Sequence, residues 1–196
     1  DNMVLQQKTN IPIWGKSTPG NNVKITTSWN NKEYNIKTNT DGNWIVSVET
    51  PSAGGPYNIQ ITDNRTVTLN NVLIGEVWLC SGQSNMEMPL AGWGKIDNYE
   101  KEIAEANHPY IRLFQVEKAT SNYPLEDVSV AGGGWQECTS ATIPNFSATA
   151  YFFGRELQKD LNVPIGLIHT SWGGTIAEAW TSLESLKMMP DFKEKA

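Results

Sequence analysis

Short runs in which apolar and polar residues alternate, each closed by turn-forming residues, fill positions 1–70. They predict strands over 11–14, 23–29, 34–38, 44–48, 57–61 and 67–69. Between them stand Pro19-Gly20-Asn21-Asn22, Asn30-Asn31, Asp41-Gly42 and Ala53-Gly54-Gly55-Pro56, whose residues supply the fixed or positive φ angles of tight turns. Evenly spaced strands of this kind predict a small antiparallel β-sandwich over residues 1–70, with its N-terminal edge expected to be cut short. Trp14, Trp29 and Trp44 alternate with polar neighbours and are expected in its core.

From about Asn71 strand-like runs alternate with helical ones, the pattern of a parallel sheet flanked by helices, so residues 71–196 predict a second, α/β domain. A compact apolar strand over 76–80 runs straight into Ser81-Gly82-Gln83-Ser84-Asn85. A helix over 98–107 is expected to stop at His108-Pro109, before a strand over 111–116. The clearest helix spans 147–161, with Ser147 placed to cap its start and Asn162 and Pro164 marking its end. A buried strand over 165–169 follows, and a last helical stretch begins near Ser182, continues through Lys187 and breaks near Pro190.

Composition narrows the function classes. Of 196 residues 39% are hydrophobic and 18% charged, which fits a packed globular chain. A formal charge of -6 with no basic run argues against a nucleic-acid partner. No segment approaches the roughly 20 apolar residues of a membrane span, and Asp1-Asn2 does not open a signal region. Two cysteines, Cys80 and Cys138, lack the paired spacing of a zinc site and read as half-buried thiols, with a bridge between them left open. Neither a metal nor a cofactor is implied.

In open α/β sheets ligands bind beyond the carboxyl ends of the strands, which directs attention to the turns after Cys80 and His169. In the first, Gly82 allows a sharp turn that leaves Ser84 projecting. A serine attacks a carbonyl when a base takes its proton and donors await the oxyanion. The second turn, Thr170-Ser171-Trp172-Gly173-Gly174-Thr175, offers backbone N–H groups that no side chain shields. The pattern is not the nucleophile elbow of α/β-hydrolases, because Met86 stands where that motif has glycine.

Two longer segments go further. Gly-Glu-Val-Trp-Leu-Cys-Ser-Gly-Gln-Ser-Asn-Met over 75–86 and Ser-Trp-Gly-Gly-Thr-Ile-Ala-Glu-Ala-Trp over 171–180 resemble the sialate O-acetylesterase family of the SGNH hydrolases. The resemblance extends over nearly the whole chain, through residues 1–6, 12–15, 53–57 and 147–166. It implies a flavodoxin-like hydrolase domain preceded by the β-sandwich, secretion or another extracytoplasmic location, and action on an acetylated sugar or glycan. Carried over by position, Ser84 matches the nucleophile. Gly173, or less favourably Gly174, matches the glycine whose N–H joins that of Ser84 in the oxyanion hole. Gln83, Asn85, Trp172 and Glu178 lie in these motifs as candidate substrate contacts.

The family's catalytic histidine, in Asp-x-x-His, and its Gln-Gly-Glu-Ser segment lie downstream of the glycine turn and are not among these residues. The resemblance therefore implies a base supplied by a further segment or a second chain, and residues 1–196 alone are expected to be nearly inactive. His108 reads as a helix-end residue and His169 as structural or substrate-side. Trp93, Trp172 and Trp180 fall near strand ends, where core packing and stacking on a sugar both remain open. Glu178 orients the turn or the substrate, or is solvated at a helix start. Sialate O-acetyl hydrolysis is the leading expectation. The alternatives are an acetylxylan or other sugar-ester esterase and a non-catalytic glycan-binding module.

Overall fold

The computed structural model describes residues 1–94 and 96–192. Seven strands come first: β1 (Val4–Gln6), β2 (Asn10–Lys16), β3 (Asn22–Thr27), β4 (Glu33–Lys37), β5 (Asn43–Glu49), β6 (Gly54–Thr62) and β7 (Thr66–Gly82). β4, β3, β6 and β7 pair antiparallel in that order, and β2 pairs antiparallel with β5 in a separate sheet. Side chains alternate across each strand, so β3 buries Val23, Ile25 and Thr27. The inward faces meet in a core that includes Ile13, Ile25, Trp44, Val48, Ile59 and Val72. This is the expected sandwich, except that the short β1 pairs parallel to β7, with Val4 opposite Leu73.

The three tryptophans do not share one environment. Trp44 is buried and Trp29 packs edge-on against Tyr57 at 5.8 Å, but Trp14 is 68% exposed. Its strand turns Ile13 into the core, and a period of two then sends Trp14 outward.

After β7 come α1 (Ser84–Glu87), α2 (Tyr99–Glu105), β8 (Asn107–Gln115), β9 (Gln136–Thr139), α3 (Ala148–Leu161), β10 (Ile165–Ser171) and α4 (Leu183–Met188). β10 lies between β7 and β8 and is parallel to both, while β9 adds an antiparallel edge. A second core gathers Ile111, Leu113, Ile143, Tyr151, Ile165 and Leu167. The α/β class expected from the pattern is the class the structure has. Both cysteines are free and fully buried rather than half-buried, and burial pushes the Cys80 thiol up to about 11 and that of Cys138 to about 12. Among the described residues no helix is long and apolar enough to cross a membrane.

Two boundaries differ from the sequence reading. The strands expected over 67–69 and 76–80 are one strand, because β6 pairs with it as far as Ile74 and β10 takes over from Glu76. Asn71 interrupts it only locally, at φ 55°. Its side-chain amide donates to Asn2 Oδ1 and Glu137 Oε1 while its Oδ1 accepts from Arg112, a buried guanidinium that also pairs with Glu137 at 3.1 Å. The helix expected over 98–107 ends earlier, since Asn107 and His108 already pair with β9. Pro109, which has no N–H to donate, falls where the β8–β9 register shifts.

α3 begins and ends as its sequence predicts. Ser147 accepts the Ala150 N–H at 3.1 Å, and Asn162 closes the helix in the left-handed conformation. The cap also secures the segment after α1, because Ala148 N–H donates to the Met88 carbonyl at 2.9 Å. Replacing Ser147 by Ala should lower the unfolding free energy by about 1 kcal/mol, read from urea denaturation. An unchanged midpoint would show that the cap contributes nothing.

Candidate active site

Parallel pairing decides which loops become neighbours. β10 aligns His169 with Cys80, Thr170 with Ser81 and Ser171 with Gly82, so both strands end at one level. The ladder runs one step further, with Trp172 N–H donating to the Gly82 carbonyl at 3.1 Å. The two turns singled out in the sequence therefore emerge side by side at the carboxyl edge of the sheet.

Gly82 adopts φ 149°, a region that favours glycine, and the chain reverses into α1. There the Met86 and Glu87 N–H groups bond to the Gln83 carbonyl at 3.0 and 2.8 Å. Ser84 opens this turn and is exposed, and its hydroxyl has no hydrogen-bond partner among the described residues. Gly173 faces it closely. A Cβ placed there would lie 2.9 Å from Ser84 Oγ and 2.7 Å from Glu87 Oε2, so a side chain would displace one or the other. The Gln83 amide donates to the Thr175 carbonyl and ties the two turns together. Gly174 borders open space.

Glu87 is the residue that sequence reasoning missed. Its carboxylate accepts the Gly173 N–H and pairs with Lys118. The Lys118 hydrogen bond, followed by the Gly173 N–H, holds the carboxyl below the usual carboxylate range. Lys118 Nζ also lies 5.7 Å from the centre of the Trp172 ring. A signal for Glu87 was available: it follows Ser84 by three residues, which places both on one side of a helical turn. Nothing local marks Lys118, which reaches the site from the coil after β8.

The histidines are committed elsewhere. His169 is 2% exposed, with Nδ1 at 2.7 Å from Gln115 Oε1, Nε2 at 2.5 Å from Ser171 Oγ, and its ring edge-on to Phe146. Burial lowers its pKa from 6.5, against the pull of the Glu87 charge. His108, expected at a helix end, is part of β8, and its Nε2 is 3.2 Å from the Tyr151 hydroxyl.

Of the remaining candidates, Asn85 is exposed, while Trp172 and Glu178 are half-buried; Glu178 sits in the short 3-10 turn Ala177–Trp180. Trp180 donates its indole N–H to Thr175 Oγ1 at 2.8 Å, and Trp93 is solvent-exposed. Two open depressions flank the turns. One, of about 350 Å³, is walled by Lys118, Tyr123 and Trp172; the other, of about 300 Å³, by Gln83 and Ile176; Trp180 borders both. Together these features bring an exposed hydroxyl and backbone donors to the parallel-strand ends of an α/β sheet, an arrangement suited to acyl transfer beside a surface able to seat a polar ligand.

Comparison with known proteins agrees with that class. Residues 74–192 match the family described as carbohydrate esterase, sialic acid-specific acetylesterase, and the chain belongs to that family. It is 35% identical over 201 residues to the sialate O-acetylesterase of Mus musculus, covering 94% of this chain and 37% of that protein. With the sialate O-acetylesterase of Homo sapiens it shares 35% over 204 residues, covering 95% and 38%. A crystal structure of a carbohydrate acetylesterase from Xanthomonas citri superposes with a TM-score of 0.87 at 35% identity, over 94% of this chain and 41% of that one. The chain thus spans well under half the length of these relatives.

The buried state of His169 has a thermodynamic consequence. Its folded pKa lies below the 6.5 of a free imidazole, so the unfolded chain binds more protons as pH falls. The stability this contributes is present above 6.5 and is lost as pH falls through the lowered value; His108 is shifted in the same direction, by burial and by Arg155. The unfolding free energy should therefore fall as pH is lowered below the 6.5 of a free imidazole, with a shallower fall in His169→Gln. A pH-independent free energy would contradict the assignment.

Proposed function

We propose that this chain carries the nucleophile and oxyanion donors of an esterase that removes O-acetyl groups from carbohydrates, O-acetylated sialic acids foremost. The observation that carries the proposal is the exposed Ser84 hydroxyl set against the Gly173 backbone. In this reading Ser84 Oγ attacks the acetyl carbonyl, and the N–H groups of Ser84 and of the glycine turn, Gly173 before Gly174, receive the developing oxyanion. The sugar leaves as its alcohol, and water then releases acetate from the acyl-enzyme. Gln83 steadies the two turns through Thr175, while Asn85, Trp172 and Glu178, carried by the two turns and the segment after the second, are assigned to the sugar.

The base is assigned to residues outside this chain, in a further segment or a second chain. Both ring nitrogens of His169 are already engaged, and His108 faces Tyr151. The division into a sandwich over 1–70 and an SGNH hydrolase domain from 71 onward is likewise proposed, on the strength of two separate hydrophobic cores. The curated relatives, named for a sialate ester, support that substrate and a place outside the cytoplasm where such glycans occur.

In the full-length protein, Ser84→Ala should reduce acetate release by about 10⁴-fold or more while circular dichroism shows the fold intact. Turnover retained at the original rate would remove Ser84 from this role. Acetate released from O-acetylated sialic acid but not from acetylated xylan would fix the substrate class, and the reverse outcome would replace it.

A further inference from the structure

The Gly173 N–H is not free. Glu87 Oε2 accepts it, while the other carboxylate oxygen pairs with Lys118. A Cβ on Gly173 would lie 2.7 Å from Glu87 Oε2 and 2.9 Å from Ser84 Oγ, so carboxylate and hydroxyl flank the same face of this glycine. An ester oxygen bonded to that N–H while Ser84 attacks its carbon would need the place this carboxylate oxygen holds. One N–H has one proton to donate, so an ester oxygen at that place competes with the carboxylate for it.

The surroundings favour the carboxylate when nothing else is bound. Its side chain is only 18% exposed, Lys118 is its ion-pair partner, and the other titratable group facing it among the described residues is His169, whose pKa burial lowers. Charge-assisted bonds of this kind are stronger than those of a neutral acceptor such as an ester carbonyl. Lys118 approaches from the coil after β8, outside both turns, and is half-exposed. It can keep its bond to a carboxylate that has moved toward solvent.

We propose that Glu87 is a specificity-determining residue whose carboxylate fills the place of the substrate's carbonyl oxygen in the empty site, and that Lys118 retains it when an ester enters. The inference rests on the reading of Ser84 and Gly173 given above. It carries a chemical consequence. A neutral ester has only to outcompete Glu87 for the N–H, whereas a carboxylate must also approach its charge. Acetate, the product, is therefore expelled as Glu87 returns, and small carboxylates are poor inhibitors.

The test uses the full-length esterase, a neutral aryl acetate as substrate and sodium acetate as inhibitor. In Glu87→Ala and in the isosteric Glu87→Gln, acetate should inhibit at concentrations lower by about tenfold or more, and KM for the aryl acetate should fall. Lys118→Met should raise KM instead, because the displaced carboxylate then has no partner. Unchanged acetate inhibition in both Glu87 variants would overturn the proposal. So would a loss of kcat in Glu87→Ala at constant KM that Glu87→Gln restores, since that pattern belongs to a prop for the turn. If Glu87→Ala fails to fold, the Gln and Met variants carry the test. Failure of the underlying reading shows separately, as absence of a serine-directed phosphonate on Ser84 of the unsubstituted enzyme by mass spectrometry.

Discussion

The parallel ladder between β7 and β10 is the constraint on which the site depends. It places Ser171 opposite Gly82 and thereby brings a serine turn and a glycine turn to one edge of the sheet. Parallel strands cannot be joined by a tight turn, so this pairing closes over a long stretch of chain that includes β8, β9 and α3. The entropy of that closure is opposed by burial of Ile165, Leu167, Ile111 and Leu113, side chains of the paired strands themselves. Core packing and site assembly are thus one event: a shift of register by one residue would turn Leu167 away from its core and separate the two turns.

β7 also joins the two cores. Its first part completes the antiparallel sheet and its last part lies beside β10, with Asn71 between them in a conformation strands rarely hold. That irregularity is held by a polar cluster. Arg112 from β8 reaches Asn2, Asn71 and the Pro109 carbonyl and is neutralised by Glu137 of β9. A buried guanidinium is expensive unless each donor finds an acceptor. Here the acceptors come from Asn2 ahead of β1, Asn71 within β7, Pro109 of β8 and Glu137 of β9, so the satisfied cluster ties β7 to the far strands of the same sheet where the two cores adjoin.

Around Ser84 the chemistry is set by who holds each donor. Gln83 is bound to Thr175, His169 to Gln115 and Ser171, and the Gly173 N–H to Glu87, whose charge Lys118 balances. The Ser84 hydroxyl stands outside these commitments. A site organised in this way keeps its backbone donors oriented before any ligand arrives, which is the condition the proposed oxyanion role would need.

Much of this was determined by sequence alone. Alternation and turn residues placed the sandwich strands, Ser147 and Asn162 bounded α3, and the segments 75–86 and 171–180 pointed to the two turns and to the family. These are local signals, in which a residue's type and its near neighbours carry the information. Tertiary structure decided the rest. It merged two expected strands into β7, since a strand's length is set by the partners on its flanks, and it buried both cysteines. It sent the ring of His169 to Gln115, and it brought Glu87 onto the N–H of Gly173, 86 residues away. Such contacts follow from the register of distant strands and from the closeness of packing that register enforces. No periodicity within a single segment encodes them.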